Sequence, residues 1–85
     1  MKYTVLINKP VLKVLEKINN PDYQRIKKSI NNLADNSRPH GYKKLKGRPG
    51  FRIREGDYRI IYDIFDNILT VDVVALGHRR DIYDQ

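Results

Sequence analysis

The chain has 85 residues, no cysteine and two histidines, and its 17 basic residues against 10 acidic ones give a net charge of +7. A chain of this length forms one domain around one small core, which we take to span residues 1–85. The lack of cysteine excludes disulfides, thiolate metal sites and a cysteine nucleophile. We expect no metal and no cofactor. No apolar run is long enough to cross a bilayer, so the sequence predicts a cytoplasmic protein without membrane contact.

The first part of the chain predicts a strand followed by two helices. Residues 2–7 alternate weakly and contain β-branched side chains, which favours a strand. Asn8 can cap a first helix, and apolar residues recur at helical spacing over residues 11–18. After a break of two asparagines and a proline, Asp22 can cap a second helix with an apolar stripe over residues 23–33. Such a short break predicts an antiparallel helical hairpin.

The second part predicts a long loop and three strands. Residues 36–50 contain three glycines and two prolines, which favours a loop. The predicted strands are residues 51–55, 58–65 and 68–76. Gly56-Asp57 and Asp66-Asn67 are the turns between them. The predicted fold class is α+β in the order β-α-α-β-β-β. A small antiparallel-rich sheet is covered on one face by the helical hairpin, and a short C-terminal tail follows Gly77.

The turn at Gly56-Asp57 sets the register of the predicted hairpin. It pairs Arg54 with Arg59 and Arg52 with Ile61, so that all three arginines share one open face of the sheet. The residues predicted on the opposite, core face are Phe51, Ile53, Ile60, Tyr62, Ile64, Leu69, Val71 and Val73. Like charges directly opposite each other destabilise a sheet, which favours an anion site there. The structural alternative is pairing of the arginines with acidic residues such as Asp63 or Asp72.

Positive charge is dense between residues 38 and 59. This segment has eight basic and two acidic residues and carries a net charge of +6. So high a local charge predicts a polyanionic partner, which is a nucleic acid, an acidic protein or both.

Three segments of the chain closely resemble the RelE/ParE superfamily of bacterial and archaeal toxins. They read YKKLKGRPG, FRIREGDYRIIYDI and VVALGHRRDIY. The resemblance covers nearly the whole chain in element order and is sharpest over residues 42–83. The succession of YR, GHRR and a tail tyrosine favours the RelE branch. The resemblance implies a toxin that enters the ribosomal A site and cleaves mRNA there, that is, an endoribonuclease or mRNA interferase. It also implies a cognate antitoxin that is acidic and helical and inhibits the toxin. Operator DNA is then contacted only through the antitoxin.

The resemblance also implies roles for individual residues. Metal-free cleavage by a 2′-hydroxyl needs cations around the phosphate oxygens, a proton acceptor and a proton donor. By resemblance, Arg59 and Arg79 stabilise the phosphate charge, and Tyr83 assists proton transfer or stacks on a nucleotide. The basic residues predicted to bind RNA are Lys43, Lys44, Lys46, Arg48, Arg52, Arg54 and Arg80.

The proton acceptor is where the sequence departs from the family pattern. The best-studied branch has lysines on the second strand, where this chain has arginines, and arginine does not deprotonate in proteins. Another branch has a glutamate in the preceding loop, where this chain has Lys43. We therefore predict that the acceptor is His78, because histidine is the residue type suited to proton transfer near neutral pH, or a ribosomal group. The structural alternative for His78 is a cap on the last strand.

Two other classes of function compete with the nuclease. The first is a ParE-like, non-enzymatic inhibitor of DNA gyrase, which lacks such a cationic cluster. The second is a basic RNA- or ribosome-binding module without catalysis. Replacing Arg79 by alanine separates the nuclease from the binding module, because a group that acts in the transition state affects cleavage more than affinity.

Overall fold

The chain folds into a five-stranded mixed sheet with two helices, as described by a computed structural model for residues 2–78. The helices and strands are β1 (Thr4–Ile7), α1 (Lys9–Glu16), α2 (Asp22–Asn32), β2 (Lys43–Lys44), β3 (Phe51–Glu55), β4 (Tyr58–Phe65) and β5 (Thr70–His78). The predicted α+β class and element order are confirmed. The two-residue strand β2 is an addition, since it lies in the segment predicted as a loop. Within residues 2–78, neither helix is both long and apolar enough to cross a bilayer.

The strands lie in the order β1-β5-β4-β3-β2. β1 runs parallel to β5, and all other neighbours are antiparallel. Both helices contribute to one core against a single face of the sheet. The buried core residues are Val11, Leu15, Ile26, Ile30, Leu33, Ile53, Ile60, Tyr62, Val71, Val73 and Leu76. Phe51 and Ile64 pack against this cluster, so the predicted core face is confirmed for all its members except Leu69.

The two helices begin differently from one another. Asn8 is extended just before α1, as expected for a residue that precedes a helix, although its side chain makes no capping hydrogen bond. The prediction that Asp22 caps α2 is wrong, because Pro21 occupies the cap position and Asp22 is the first helical residue. A carboxylate in the first turn still favours the helix, since it faces the positive end of the helix dipole.

The β3–β4 hairpin has the predicted register. Glu55 pairs with Tyr58 and Arg54 with Arg59 around the two-residue turn. Gly56 has a φ of +60°, which glycine adopts without the strain that a side chain would cause.

The next connection differs from the predicted two-residue turn. Residues Asp66–Ile68 form a 3₁₀ turn, and Leu69 then adopts a left-handed conformation with a φ of 48°. The Asp66 carboxylate accepts hydrogen bonds from Tyr3 and Arg38, which hold the chain in this turn before it reverses. β5 therefore starts at Thr70, two residues later than predicted.

A β-bulge at Val74 interrupts the pairing of β4 with β5. Beyond a bulge, the residues of a strand face the side opposite to the one that uninterrupted alternation gives. Leu76 therefore joins the core, and Gly77 lies opposite Arg59. The bulge thus places a residue without a side chain beside an arginine of the open face.

Candidate functional site

The open face of the sheet is cationic at the end nearest the β3–β4 turn. Arg54 and Arg59 lie directly opposite each other, and Lys43 lies opposite Arg52. These two pairs share one face and are about 7 Å apart along the strands. We call these four residues the cationic face. Lys43 and Arg54 are exposed and Arg59 is half-buried, whereas Arg52 is only 5% exposed. The arginines therefore share a face as the sequence predicts, but Arg52 presents little surface to a ligand.

A small hollow of about 90 Å³ lies at the hairpin end of this face. It is lined by Arg54, Gly56, Asp57, Tyr58 and Arg59. Since one water occupies about 30 Å³ of the liquid, the hollow has room for a few waters or one phosphate group. A guanidinium presents a planar fork of donors that matches phosphate oxygens. The arrangement can therefore bind an oxyanion between two arginines.

An acidic pair borders the cationic face farther along the strands. Asp63 and Asp72 lie opposite each other on β4 and β5. Arg48, from the loop, places its Nη2 3.7 Å from Oδ1 of Asp63. The cationic face thus ends at this acidic pair.

The start of the basic loop is tied to the β4–β5 turn. Arg38 Nη2 donates to Asp66 Oδ2 at 3.0 Å, and the guanidinium lies 5.7 Å from the ring centroid of Phe51. The Tyr3 hydroxyl donates to the same carboxylate. The hydrogen bonds from Arg38 and then Tyr3 lower the pKa of Asp66, and the bond to Asp66 raises the pKa of Tyr3. Arg38 is therefore a structural residue, although it belongs to the dense basic segment.

A hydrogen bond from a buried tyrosine also holds the start of this loop. The Tyr62 hydroxyl donates to the carbonyl of Ser37 at 2.9 Å, and both residues are buried. Burial raises the pKa of Tyr62 to about 12.

The far end of the loop closes on itself. The Leu45 amide donates to the Gly50 carbonyl at 3.0 Å. Gly50 has a φ of +126°, and a Cβ there would lie 3.0 Å from Oδ1 of Asp63. Lys46 and Arg48 are exposed on this closed loop, and Lys43 and Lys44 are exposed on β2 just before it. The fold therefore holds the loop's cations in place at the side of the cationic face.

His78 lies on the other side of the sheet from Arg59. It pairs with Tyr58, whose ring meets the imidazole edge-on at a centroid distance of 5.5 Å. Its Nε2 is 3.9 Å from Oδ2 of Asp57. Because neighbouring strand residues point to opposite faces, Tyr58 and His78 face away from the side that carries Arg59. This placement favours the structural alternative for His78, and its role as proton acceptor stays a prediction.

Three of the predicted site residues, Arg79, Arg80 and Tyr83, lie outside the described residues. Between residues 2 and 78 there is no group of three or more histidine, aspartate or glutamate side chains that could hold a metal ion.

Comparison with known proteins gives concordant matches over nearly the whole chain. The model of a family described as "ParE toxin of type II toxin-antitoxin system, parDE" matches residues 5–83. A "Putative RelE-like toxin protein" of Escherichia coli is 30% identical over 90 residues, which are 99% of this chain and 93% of the relative.

Two solved structures extend the likeness to the fold. The archaeal RelE–RelB complex from Pyrococcus horikoshii matches with a TM-score of 0.84 and 28% identity, covering 96% of this chain and 100% of that one. The RelB–RelE antitoxin–toxin complex from Methanococcus jannaschii matches with a TM-score of 0.72 and 30% identity, covering 92% and 94%.

Proposed function

Because the chain belongs to the ParE toxin family of type II toxin–antitoxin systems and is similar to RelE-like toxins, we propose that it is a ribosome-dependent endoribonuclease. It cleaves mRNA in the A site. The observation that carries the proposal is the Arg54–Arg59 pair on the open face. Two guanidinium groups held opposite each other beside a small hollow offer the planar forks of donors that phosphate oxygens accept from, and this supports the proposal.

The proposed reaction needs no metal. The 2′-oxygen of one nucleotide forms a bond to the adjacent phosphorus, and the bond from phosphorus to the 5′-oxygen breaks. The products carry a 2′,3′-cyclic phosphate and a 5′-hydroxyl, so one proton leaves the 2′-oxygen and one joins the 5′-oxygen. Charge builds up on the phosphate oxygens in the transition state, where Arg59 stabilises it. Arg54 binds the same phosphate from the opposite strand, and Lys43 binds a neighbouring phosphate.

The C-terminal residues enter this proposal through the resemblance alone. Arg79 supplies a second cation to the reacting phosphate, Arg80 contacts the RNA backbone, and Tyr83 assists proton transfer or stacks on a base. The proton acceptor is a ribosomal group or His78. The ribosomal group is favoured because His78 faces away from Arg59.

A glutamine substitution separates the two proton acceptors. If the ribosome supplies the acceptor, we expect His78→Gln to keep single-turnover cleavage and its pH–rate profile. Loss of the acid limb of that profile with ribosome affinity preserved would instead assign the acceptor to His78.

The proposed partner is an antitoxin, which the RelE–RelB complexes of the relatives support. We propose that it is acidic and helical, that it covers the cationic face, and that it carries any contact with operator DNA. The complex with the product of the adjacent gene should then weaken steeply with salt and with Arg54→Glu. Binding that is insensitive to both would place the antitoxin elsewhere.

Mapping of cleavage products tests the proposed activity. The purified protein is incubated with programmed ribosomes, and separately with the same mRNA alone, and the new 3′ ends are mapped. We expect A-site cleavage only on the ribosome. Cleavage of free mRNA as well would make the nuclease ribosome-independent. Ribosome binding without cleavage would favour the RNA-binding module.

The description of the matching family as ParE favours a second candidate, the non-enzymatic inhibition of DNA gyrase. A supercoiling assay decides this candidate, since inhibition of gyrase without any cleavage on the ribosome would replace the nuclease proposal.

A further inference from the structure

The helical layer is also basic. Residues 9–33 contain six basic and two acidic residues and so carry a net charge of +4, compared with +6 for residues 38–59. Nothing in the proposed cleavage reaction uses these charges. They lie on the far side of the molecule, because the helices cover the face of the sheet opposite to the cationic face.

A regular stripe of lysines forms the centre of this charge. Lys9, Lys13 and Lys17 follow one another at intervals of four residues, and all three are exposed. Four residues of helix advance about 6 Å and return to nearly the same side, so the three charges form one row along α1. Val11 and Leu15, on the opposite side of the helix, are 0% and 4% exposed. Like charges at this spacing destabilise a helix, and a bound polyanion relieves that repulsion.

The second helix carries further exposed cations on the same side of the sheet. Arg25 and Lys28 are exposed, while Ile26 and Ile30 of the same helix are completely buried in the core. We call the five exposed cations Lys9, Lys13, Lys17, Arg25 and Lys28 the helical basic face.

The chemistry of this face fits a nucleic-acid backbone better than a protein or a membrane. Protein interfaces are depleted in lysine and are anchored by buried aromatic or apolar side chains. On α1 the exposed large apolar residue is Leu12, at 44%. A membrane-surface helix inserts its apolar side into the lipid, but here Val11 and Leu15 are already buried in the core. Rows of lysine are typical of phosphate contacts, which position a protein without reading sequence.

We propose that the helical basic face binds the backbone of a structured RNA and thereby orients the toxin, so that the cationic face meets the mRNA. The protein measures 34 × 27 × 25 Å, and the two surfaces lie on opposite sides of it. They therefore contact different RNA segments. The inference rests on the proposed function, since it names the RNA contact that holds the nuclease on the ribosome.

Two triple variants of the full-length protein test the proposal. Lys9, Lys13 and Lys17 are replaced together by glutamine in one variant and by arginine in the other. Both replacements are good helix formers, and arginine keeps the charge. The probe is the purified ribosome, and affinity is measured at several salt concentrations. Binding of the adjacent gene's antitoxin at fixed salt shows that each variant is folded.

The expected loss follows from counterion release. Three phosphate contacts contribute about 2–3 to the slope of log affinity against log salt, or roughly 20- to 40-fold between about 50 and 200 mM. We expect the glutamine variant to lose that part of the slope and the arginine variant to keep it. Glu16→Gln removes the one acidic group of α1 and should tighten binding to the ribosome.

Two results would overturn the proposal. One is an unchanged affinity and slope in the glutamine variant. The other is a loss of antitoxin binding with ribosome affinity unchanged, since the face would then be a protein interface. The nuclease proposal is tested separately. It is wrong if the unmodified protein, at saturating concentration, does not cleave mRNA on the ribosome. The glutamine variant, once saturating, should cleave at the unmodified rate.

Discussion

Replacing Arg54 by glutamine removes one of two positive charges that face each other across β3 and β4. Opposing Cβ atoms in such a pair are about 5 Å apart, and exposed side chains diverge, so we take roughly 7 Å between charges. At that distance two charges in water repel by about 0.6 kcal/mol. At 0.15 M salt the Debye length of about 8 Å reduces this to roughly 0.2–0.3 kcal/mol. We therefore expect Arg54→Gln to raise the free energy of unfolding by about 0.5 kcal/mol at low salt while it weakens binding to RNA.

Urea denaturation at about 0.02 M and about 0.5 M salt measures this effect, because screening should abolish the gain at the higher concentration. Arg54→Lys is the matched control, since it keeps the charge and should leave the salt dependence of stability unchanged. A glutamine variant that is less stable by the same amount at both salt concentrations would refute the reasoning. The two arginines would then not repel each other across the strands.

Three further predictions concern residues that hold the loop and the turn beside the site. Tyr62→Phe leaves the buried Ser37 carbonyl without its donor and should lower the free energy of unfolding by about 1–2 kcal/mol in urea. Since the pKa of Tyr62 is raised to about 12, stability should also fall as pH rises above the unfolded value near 10, and the phenylalanine variant should lack that fall. Gly50→Ala puts a side chain at a φ of +126° and should cost about 1–3 kcal/mol by the same measurement, whereas an unchanged midpoint would mean that the loop adjusts freely. Because hydrogen bonds lower the pKa of Asp66, its contribution to stability is present above the unfolded pKa of about 3.9 and is lost as pH falls through the folded value. A pH titration of unfolding should show this acid limb in the unmodified protein and a flatter one in Asp66→Asn.

The part of the fold that the sequence predicts well is the β3–β4 hairpin. Gly56-Asp57 specifies a two-residue turn, and the alternation of apolar and charged residues on both sides then permits one register. The bulge at Val74 was not predicted, because the run of apolar residues in β5 fits either face of the sheet locally. Strand β2 was missed for a related reason, since two lysines in a glycine-rich segment become a strand only by pairing with β3.

Some features of the candidate site could likewise be predicted from the sequence, and others could not. The shared face of Arg54 and Arg59 follows from alternation alone and was predicted. The side on which His78 lies depends on the bulge, so alternation along β5 does not separate it from Arg59. Burial of Arg52 and the hydrogen bonds that engage Arg38 arise from contacts between distant segments, which local patterns do not report. The basic helical layer could have been found by counting charges over residues 9–33.

The central claim is that Arg59 stabilises the transition state of mRNA cleavage, and the most direct test is to measure cleavage and ribosome affinity of Arg59→Ala side by side. Lys2→Ala is the matched control, because Lys2 is exposed and lies outside both basic faces. We expect single-turnover cleavage on programmed ribosomes to fall by about 10²–10³ in the Arg59 variant, as for loss of a group that stabilises developing charge, with a much smaller loss of affinity. The control should cleave at the unmodified rate. Equal losses of cleavage and affinity in Arg59→Ala, or no loss of cleavage, would contradict the claim.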